Sequence, residues 1–173
     1  PRRETRNVSL VDLVPTLLDL AAGGRPVEPI DPLDGNSLAR LLSDGAAAWD
    51  DLVAGEYLAE GALSPCLMVK RGPHKLIVSE GDPDQLYDLA SDPLELVNRA
   101  GDPGLAAIEA GLRREIALRW DAARLKQRVI ESQRRRLFLQ PILTRGRHAA
   151  WDYQPVRDAA RAYVRNIGMD EDA

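Results

Sequence analysis

The sequence predicts an α+β fold in which a small antiparallel sheet of three or four strands is packed by a long helix. Three observations support this prediction. Short apolar runs separated by turn signals occupy residues 53–89. An apolar stripe with helical spacing follows Asp102-Pro103. The segment from Pro141 onwards reads as an extended C-terminal tail, with a loop, an aromatic cluster, a short helix and an acidic end.

A strongly apolar helix is predicted near the beginning of the chain, over residues 9–22. Ser9 is placed to cap it, Asp12 follows three residues later as in a capping box, and Gly23 ends it. Pro15 lies inside, so the helix is expected to restart or kink there. Its apolar residues point almost all round the axis, and such a helix must be buried on several sides. We therefore expect it to require more surrounding protein than this chain supplies.

Four short runs are candidate strands for the sheet of three or four strands. They lie at residues 53–59, 66–71, 75–79 and 85–89, after a proline-containing loop and a short helix at 38–42. The intervening turns are too short for the crossovers that parallel strands need, so an antiparallel meander is expected. Asp92-Pro93 and Asp102-Pro103 each offer an N-cap followed by Pro. They predict a turn or two of helix at 94–99 and a long helix from 104 to about 139, ending before Pro141.

One face of the long predicted helix is apolar in its first half only. Beyond that half, arginines crowd the sequence, so the second half is expected either to be exposed or to pack against another subunit. The apolar stripe comprises Leu105, Ile108, Leu112, Ile116, Trp120 and Ala123.

Composition excludes several classes of protein. Hydrophobic residues make up 45% and charged residues 29% of the chain, as in globular domains, and the net charge of −4 indicates no particular partner. No stretch approaches the ~18 apolar residues of a membrane span, and the start does not read as a signal peptide. The single cysteine, Cys66, cannot form an internal disulfide, which fits a reducing compartment. We therefore expect a cytoplasmic location and no membrane partner.

Candidate catalytic and metal-binding residues are sparse. There is no cysteine pair, and only His74 and His148 are available as imidazole ligands. Ser64, Cys66 and His74 are the only neighbouring nucleophile and base candidates, and no triad signature surrounds them. Cys66 is expected to be an inert thiol in an apolar strand. The loop aspartates are expected to form turns and caps: Asp31, Asp34, Asp82, Asp84 and Asp92. The chain is therefore expected to carry neither a catalytic residue nor a metal site.

Two features admit a binding role. Residues 113–136 hold nine Lys and Arg against Glu115, Asp121 and Glu131. That stretch reads as a solvated or intersubunit helix face, because the whole chain is acidic and no stacking aromatics are interleaved with it. In the tail, residues 151–153 (Trp-Asp-Tyr) combine two aromatic rings with a carboxylate, the parts needed to hold a quaternary ammonium. The alternative is that these aromatics anchor the tail onto a neighbouring surface.

Several segments together resemble one family. Residues 8–21 (VSLVDLVPTLLDLA) are similar to a helix found late in sulfatases of the alkaline-phosphatase-like superfamily. QLYDL at 85–89, with DPLE at 92–95 and Asn98, resembles the end of the C-terminal sheet in the same enzymes. GEYLAEG at 55–61, MVKRG at 68–72 and the tail segments WDYQP at 151–155 and YVRN at 163–166 look like choline sulfatases.

The resemblance implies hydrolysis of choline O-sulfate to choline and sulfate by the parent protein. It also implies a formylglycine nucleophile, made from Cys in a Cys-x-Pro-Ser-x-Arg motif, and a divalent metal, usually calcium. Cys66 is followed by Leu67 and fails this motif. The nucleophile and the metal ligands are therefore expected upstream of this chain, which begins at Pro1 without an initiator Met and reads as the last third of such an enzyme, inactive alone.

In such an enzyme the tail is implied to join subunits into a homo-oligomer and to reach a neighbouring active site. Asp152 is then the first candidate to face the choline cation, with Trp151 or Tyr153 beside it and Asp158 in reserve. The implied division is 1–50 for the end of the large α/β domain, 51–140 for the C-terminal subdomain and 141–173 for the oligomerisation tail.

Three alternatives stay open at the level of sequence. A free-standing interaction module would fold as a soluble oligomer without an upstream partner. A related sulfatase could act on another sulfate ester. A nucleic-acid binder would lose affinity steeply with salt.

Overall fold

The computed structural model describes residues 3–23, 25 and 28–145. The chain divides into two compact units, residues 1–130 and 131–173. Two 3-10 turns, Leu10–Asp12 and Pro103–Leu105, precede helices. The remaining elements, in chain order, are α1 (Leu13–Ala22), α2 (Ala39–Ser43), β1 (Leu52–Tyr57), β2 (Cys66–Arg71), β3 (His74–Ser79), β4 (Gln85–Asp88), α3 (Ala106–Arg119) and α4 (Ala122–Leu143).

The predicted antiparallel meander is confirmed. The four strands lie in the order β1-β2-β3-β4, and each pairs with its neighbour in sequence. Gly72, with a φ of 52°, occupies the β2–β3 turn, where a left-handed conformation favours glycine. The pairs Leu52↔Arg71, Val69↔Leu76 and Leu76↔Leu86 fix the register of the three ladders.

One face of the sheet and one side of α3 form the core. Since successive strand residues alternate between the faces, Leu67, Val69, Leu76 and Leu86 all point to α3 and are fully buried. The predicted stripe of α3 meets them through Leu112 and Ile116, while Leu105 and Trp120 pack at its ends. The opposite face is half-buried and carries Cys66, Met68 and Ile77.

The apolar first helix forms where the sequence predicts it. The Ser9 N–H donates to Asp12 Oδ2 at 2.7 Å, and Gly23 ends α1 with a φ of 61°. Pro15 is tolerated because it lies in the first turn of α1, where the fixed φ of proline is compatible with a helix. Thr16 alone is buried within α1. The apolar residues Leu10, Val11, Leu13, Val14, Leu17 and Leu20 form an exposed patch, hereafter the α1 surface.

The predicted single long helix is wrong, because two helices meet at Trp120-Asp121. Trp120 is extended, with φ −132° and ψ 134°, and its indole N–H donates to Glu56 Oε2 at 2.7 Å. Asp121 then starts α4 by accepting from the N–H of Arg124 at 3.0 Å. The predicted end before Pro141 is also wrong, since α4 continues to Leu143. Pro141 lies in its last turn, so a single helical hydrogen bond is lost.

The predicted helix at 94–99 is wrong as well. Glu95 has a φ of 56°, a left-handed conformation that cannot continue an α-helix. Asp92 caps a turn instead, because its Oδ2 accepts from the N–H of Val97 at 2.8 Å. The segment is held in this form by its contacts with β4.

Candidate functional site

The residues predicted to face a cation lie outside the described residues. Trp151, Asp152, Tyr153 and the reserve residue Asp158 all fall beyond Arg145, where the description ends. Their roles therefore stay predictions.

The nucleophile and base candidates are not brought together. Cys66 pairs with Ser79 at one end of the β2–β3 hairpin, whereas His74 pairs with Arg71 at the other end. Ser64 is buried, and its hydroxyl donates to Glu80 Oε2 at 3.5 Å. The thiol of Cys66 is free and half-buried in its strand. These residues form no charge relay, since a nucleophile needs a base within hydrogen-bond reach.

The described residues do not fit a metal ion. Within 3–23, 25 and 28–145, no three His, Cys, Asp or Glu side chains converge where an ion would be held. Of the loop aspartates predicted to form turns and caps, Asp92 does so through the N–H of Val97, whereas the carboxylate of Asp84 pairs with Arg113. Asp102, predicted as an N-cap, accepts from the N–H of Gly104 through its Oδ1 at 2.7 Å. No catalytic step is therefore assigned to a metal held by these residues.

Basic residues of α3 pair with carboxylates. Arg113 contacts Glu109 Oε1 at 2.5 Å and Asp84 Oδ2 at 2.7 Å, and these two bonds raise the pKa of its guanidinium. The N–H of Gly101 and then Arg113 lower the pKa of Glu109. Arg119 lowers the pKa of Glu115, with a smaller contribution from Arg71. In this part of the predicted basic face, Arg113 and Arg119 therefore form ion pairs with nearby carboxylates.

The motif shared with sulfatases closes the outer edge of β4. Asn98 Oδ1 accepts from the N–H groups of Leu86 at 2.9 Å and Ala100 at 3.0 Å. The N–H of Arg99 donates to the carbonyl of Leu86 at 2.8 Å. Glu95 forms an ion pair with Lys75. These motif residues therefore secure the sheet rather than supply reactive groups, a role the sequence did not reveal.

Asn7 ties the N-terminal segment to the sheet. Its backbone N–H donates to Asp51 Oδ1 at 2.5 Å, and its amide donates to the carbonyl of Gly72 at 3.0 Å. The Lys70 ammonium donates to its Oδ1, and the indole of Trp49 donates to its carbonyl at 2.8 Å. Sequence reasoning missed this tie, since a single Asn in a loop carries no pattern.

A cleft of about 950 Å³ lies between β1 and the N-terminal part of the chain. The β1 side contributes Ala54, Gly55 and Glu56. Across the cleft lie Asp12 and Leu41. Asp12 has a structural role, because its carboxylate accepts hydrogen bonds from the N–H groups of Ser9 and Asn36.

None of the helices in the described part of the chain is both long and apolar enough to cross a bilayer.

Comparison with known proteins covers almost the whole chain. The family described as N-sulphoglucosamine sulphohydrolase, C-terminal matches residues 2–121, and the family described as Choline sulfatase enzyme C terminal matches residues 127–172. The choline-sulfatase of Rhizobium meliloti (strain 1021) is 36% identical over 162 residues. That match covers 91% of this chain and 31% of the relative.

Solved structures agree with these matches. The 2-O GAG sulfatase BT1596 is 30% identical with a TM-score of 0.51, over 71% of this chain and 25% of that one. The phosphonate monoester hydrolase of Agrobacterium radiobacter is 26% identical with a TM-score of 0.52, over 67% of this chain and 25% of that one. This chain thus spans about a third of its curated relative and a quarter of these structures.

The meander, its packing helix and these neighbours define an α+β C-terminal subdomain of the sulfatase type. The chain belongs to the sulfatase family and is similar to the C-terminal part of choline sulfatase. The predicted resemblance is therefore confirmed.

Proposed function

We propose that this chain is the C-terminal part of a choline sulfatase, which hydrolyses choline O-sulfate to choline and sulfate. The observation that best supports this proposal is the 36% identity to a choline-sulfatase over 162 residues. The match of residues 127–172 to the choline sulfatase C-terminal family supports the same assignment for the tail. The proposed division is 1–50, 51–140 and 141–173, for the end of the large domain, the C-terminal subdomain and the oligomerisation tail.

The proposed reaction centre lies in the part of the protein that precedes residue 1. Sulfatases in general use a metal ion and a formylglycine. The formylglycine would supply the nucleophile, and calcium is the proposed metal. The described residues of this chain offer neither a metal-holding group nor the Cys-x-Pro-Ser-x-Arg motif. The proposed role of the described residues is to support that centre structurally, while the tail recognises the choline cation.

The proposed partners are the rest of the sulfatase chain and further copies of the protein. The exposed α1 surface supports the first, since contiguous apolar surface of this kind marks a contact site. The protein is further proposed to form a homo-oligomer through the tail. Its proposed location is the cytoplasm, which is consistent with the single Cys66. Choline O-sulfate is the proposed substrate, with no nucleic acid or membrane partner.

Substrate choice tests the proposal in the complete protein. The full-length enzyme, in its formylglycine form, is assayed with choline O-sulfate, p-nitrophenyl sulfate and a phosphonate monoester. We expect kcat/KM to be highest for choline O-sulfate. Turnover of the aryl sulfate or the phosphonate without turnover of choline O-sulfate would remove the choline assignment.

Asp152→Asn tests the proposed recognition of the choline cation. Removing a carboxylate beside a quaternary ammonium weakens binding, so KM for choline O-sulfate should rise about tenfold or more. KM for p-nitrophenyl sulfate, whose aryl group carries no positive charge, should stay unchanged. Asp158→Asn and Asp170→Asn serve as matched comparisons within the tail. A larger effect of Asp158→Asn would transfer the role to the reserve residue, and equal effects on both substrates would exclude Asp152.

A further inference from the structure

The outer edge of β1 carries backbone groups directed away from the sheet. In an antiparallel ladder, alternate residues bond to the neighbouring strand and the others point to the opposite side. The Gly72 N–H donates to the carbonyl of Asp51 at 2.9 Å, which identifies their position as a bonded pair. Following the register, Val53 and Gly55 also bond to β2. Ala54 and Glu56 therefore direct their N–H and C=O groups outwards, into the cleft.

The two edges of the sheet are treated differently. The edge of β4 is closed by Asn98 and Arg99, which satisfy the N–H and C=O of Leu86. The edge of β1 has no such cover from the described residues, and its sequence Leu52–Tyr57 (LVAGEY) contains neither Lys nor Pro. An open edge without these protective residues is a template for an added strand.

We propose that an extended segment from the part of the protein preceding residue 1 pairs with β1 as a fifth strand. It would bond to the N–H and C=O groups of Ala54 and Glu56. This inference rests on the proposed function, since it takes the chain to be the C-terminal part of a longer sulfatase. The polypeptide is available, because this chain spans 31% of its choline-sulfatase relative and both family matches are to C-terminal regions.

The N-terminal segment favours this occupant over a second copy. Asn7 is bonded to Asp51 beside the edge, so the described residues at the start of the chain approach the sheet there. Ser9, Val11 and Leu41 line the same cleft as Ala54 and Glu56, so the edge of β1 is not a free flat surface. Edge-to-edge pairing of two copies needs a flat, accessible edge, whereas a cleft can admit a single extended segment.

Amide hydrogen exchange in the full-length protein tests the pairing. The amides of Ala54 and Glu56 are expected to exchange as slowly as those of Val53 and Gly55, and at least about a hundredfold more slowly than unbonded amides. Fast exchange at Ala54 and Glu56 with slow exchange at Val53 and Gly55 overturns the proposal. Protection that grows with protein concentration also overturns it, because it would indicate pairing between copies. Hydrolysis of choline O-sulfate is measured separately, so either idea can fail alone.

Ala54→Pro provides a second test. Proline at this position removes the outward N–H, which makes no bond to β2, and places its ring towards the incoming strand. The variant should lower the Tm of the full-length protein by several degrees, while Ala62→Pro, in an exposed loop, should lower it by less. Equal Tm values for both variants would contradict the added strand. If Ala54→Pro does not fold, the exchange measurement on the unmodified protein decides.

Discussion

Asn98 Oδ1 accepts the backbone N–H of Leu86 at 2.9 Å, so one side chain replaces the missing neighbour of an edge strand. The same amide donates to the carbonyl of Asp84 at 2.9 Å. Leu86 itself is fully buried in the core. A residue of the family motif thus fixes the segment that follows β4 to the edge of that strand.

Asn98→Ala should lower the free energy of unfolding by about 1–3 kcal/mol, because it leaves the N–H of Leu86 without its partner. Asn98→Asp is the matched control. It keeps the oxygen that accepts from Leu86, but it replaces the amide donor with a charged oxygen. Since the Leu86 N–H keeps its partner, this variant should cost less than Asn98→Ala. Urea unfolding measures both variants. Equal stability of Asn98→Ala and the parent protein would show that the bond contributes nothing.

Leu112→Ala should cost about 2–5 kcal/mol, because it opens a cavity between α3 and the sheet. Leu112 is 2% exposed, whereas Leu118 on the same helix is 75% exposed. Leu118→Ala should therefore change stability by less than about 0.5 kcal/mol. The comparison by thermal or chemical unfolding would fail if the two variants were equally destabilised.

The strands could be predicted because a strand with one buried face has apolar residues at every second position of the sequence. Val69 and Leu76, opposite each other in the core, belong to such runs. The break at Trp120-Asp121 was missed, and the bond between the Trp120 indole and Glu56 found there joins residues far apart in sequence. Asp121 was nevertheless a local signal for the start of α4, since Asp is a preferred N-cap residue.

The site was less predictable than the fold, for a physical reason. Sequence patterns report periodic burial, while Asn7 acts through bonds to Asp51 and Gly72, which are distant in sequence. Glu95 was also missed. Its backbone is left-handed, although the preceding N-cap and Pro had predicted a helix at this position. Resemblance to a family supplied the candidates in the tail, and Asp152 stays a prediction.

Stability should fall in acid partly through Glu109. The N–H of Gly101 and then Arg113 lower the pKa of this carboxyl in the folded state. Its contribution is therefore fully present above the unfolded pKa near 4.5 and is lost as the pH falls through the lower folded value. Glu109→Gln should have a lower Tm than the parent at pH 7, and the gap should close towards pH 3. Glu28→Gln, at an exposed loop position, is the control. A gap that does not change with pH would contradict this assignment.

Asn7→Ala should release the N-terminal segment from the sheet. It removes the amide donor to Gly72 and the acceptor of Lys70. Limited proteolysis should then cut between residues 8 and 43 faster, by about fivefold or more for a loss of 1 kcal/mol or above. Thr5→Ala, at an exposed position of the same segment, is the control. Unchanged cleavage would mean that the bonds of Trp49 and Asp51 to the backbone suffice.

The α1 surface should bind a partner that the 173 residues do not provide. Leu10 is 83% and Leu17 is 64% exposed, and isolated apolar surface of this extent binds dyes such as ANS and favours self-association. The double substitution Leu10→Ser and Leu17→Ser should therefore reduce ANS fluorescence and self-association of this chain.

In the full-length protein the same pair should be destabilising, by about 1.5–3 kcal/mol for each leucine that becomes buried there. Leu63→Ser removes an equally exposed leucine from a loop outside this surface and should leave the full-length stability unchanged. A clean monomer without dye binding would show that the α1 surface needs no cover, and unchanged full-length stability in the double variant would show that nothing packs on it.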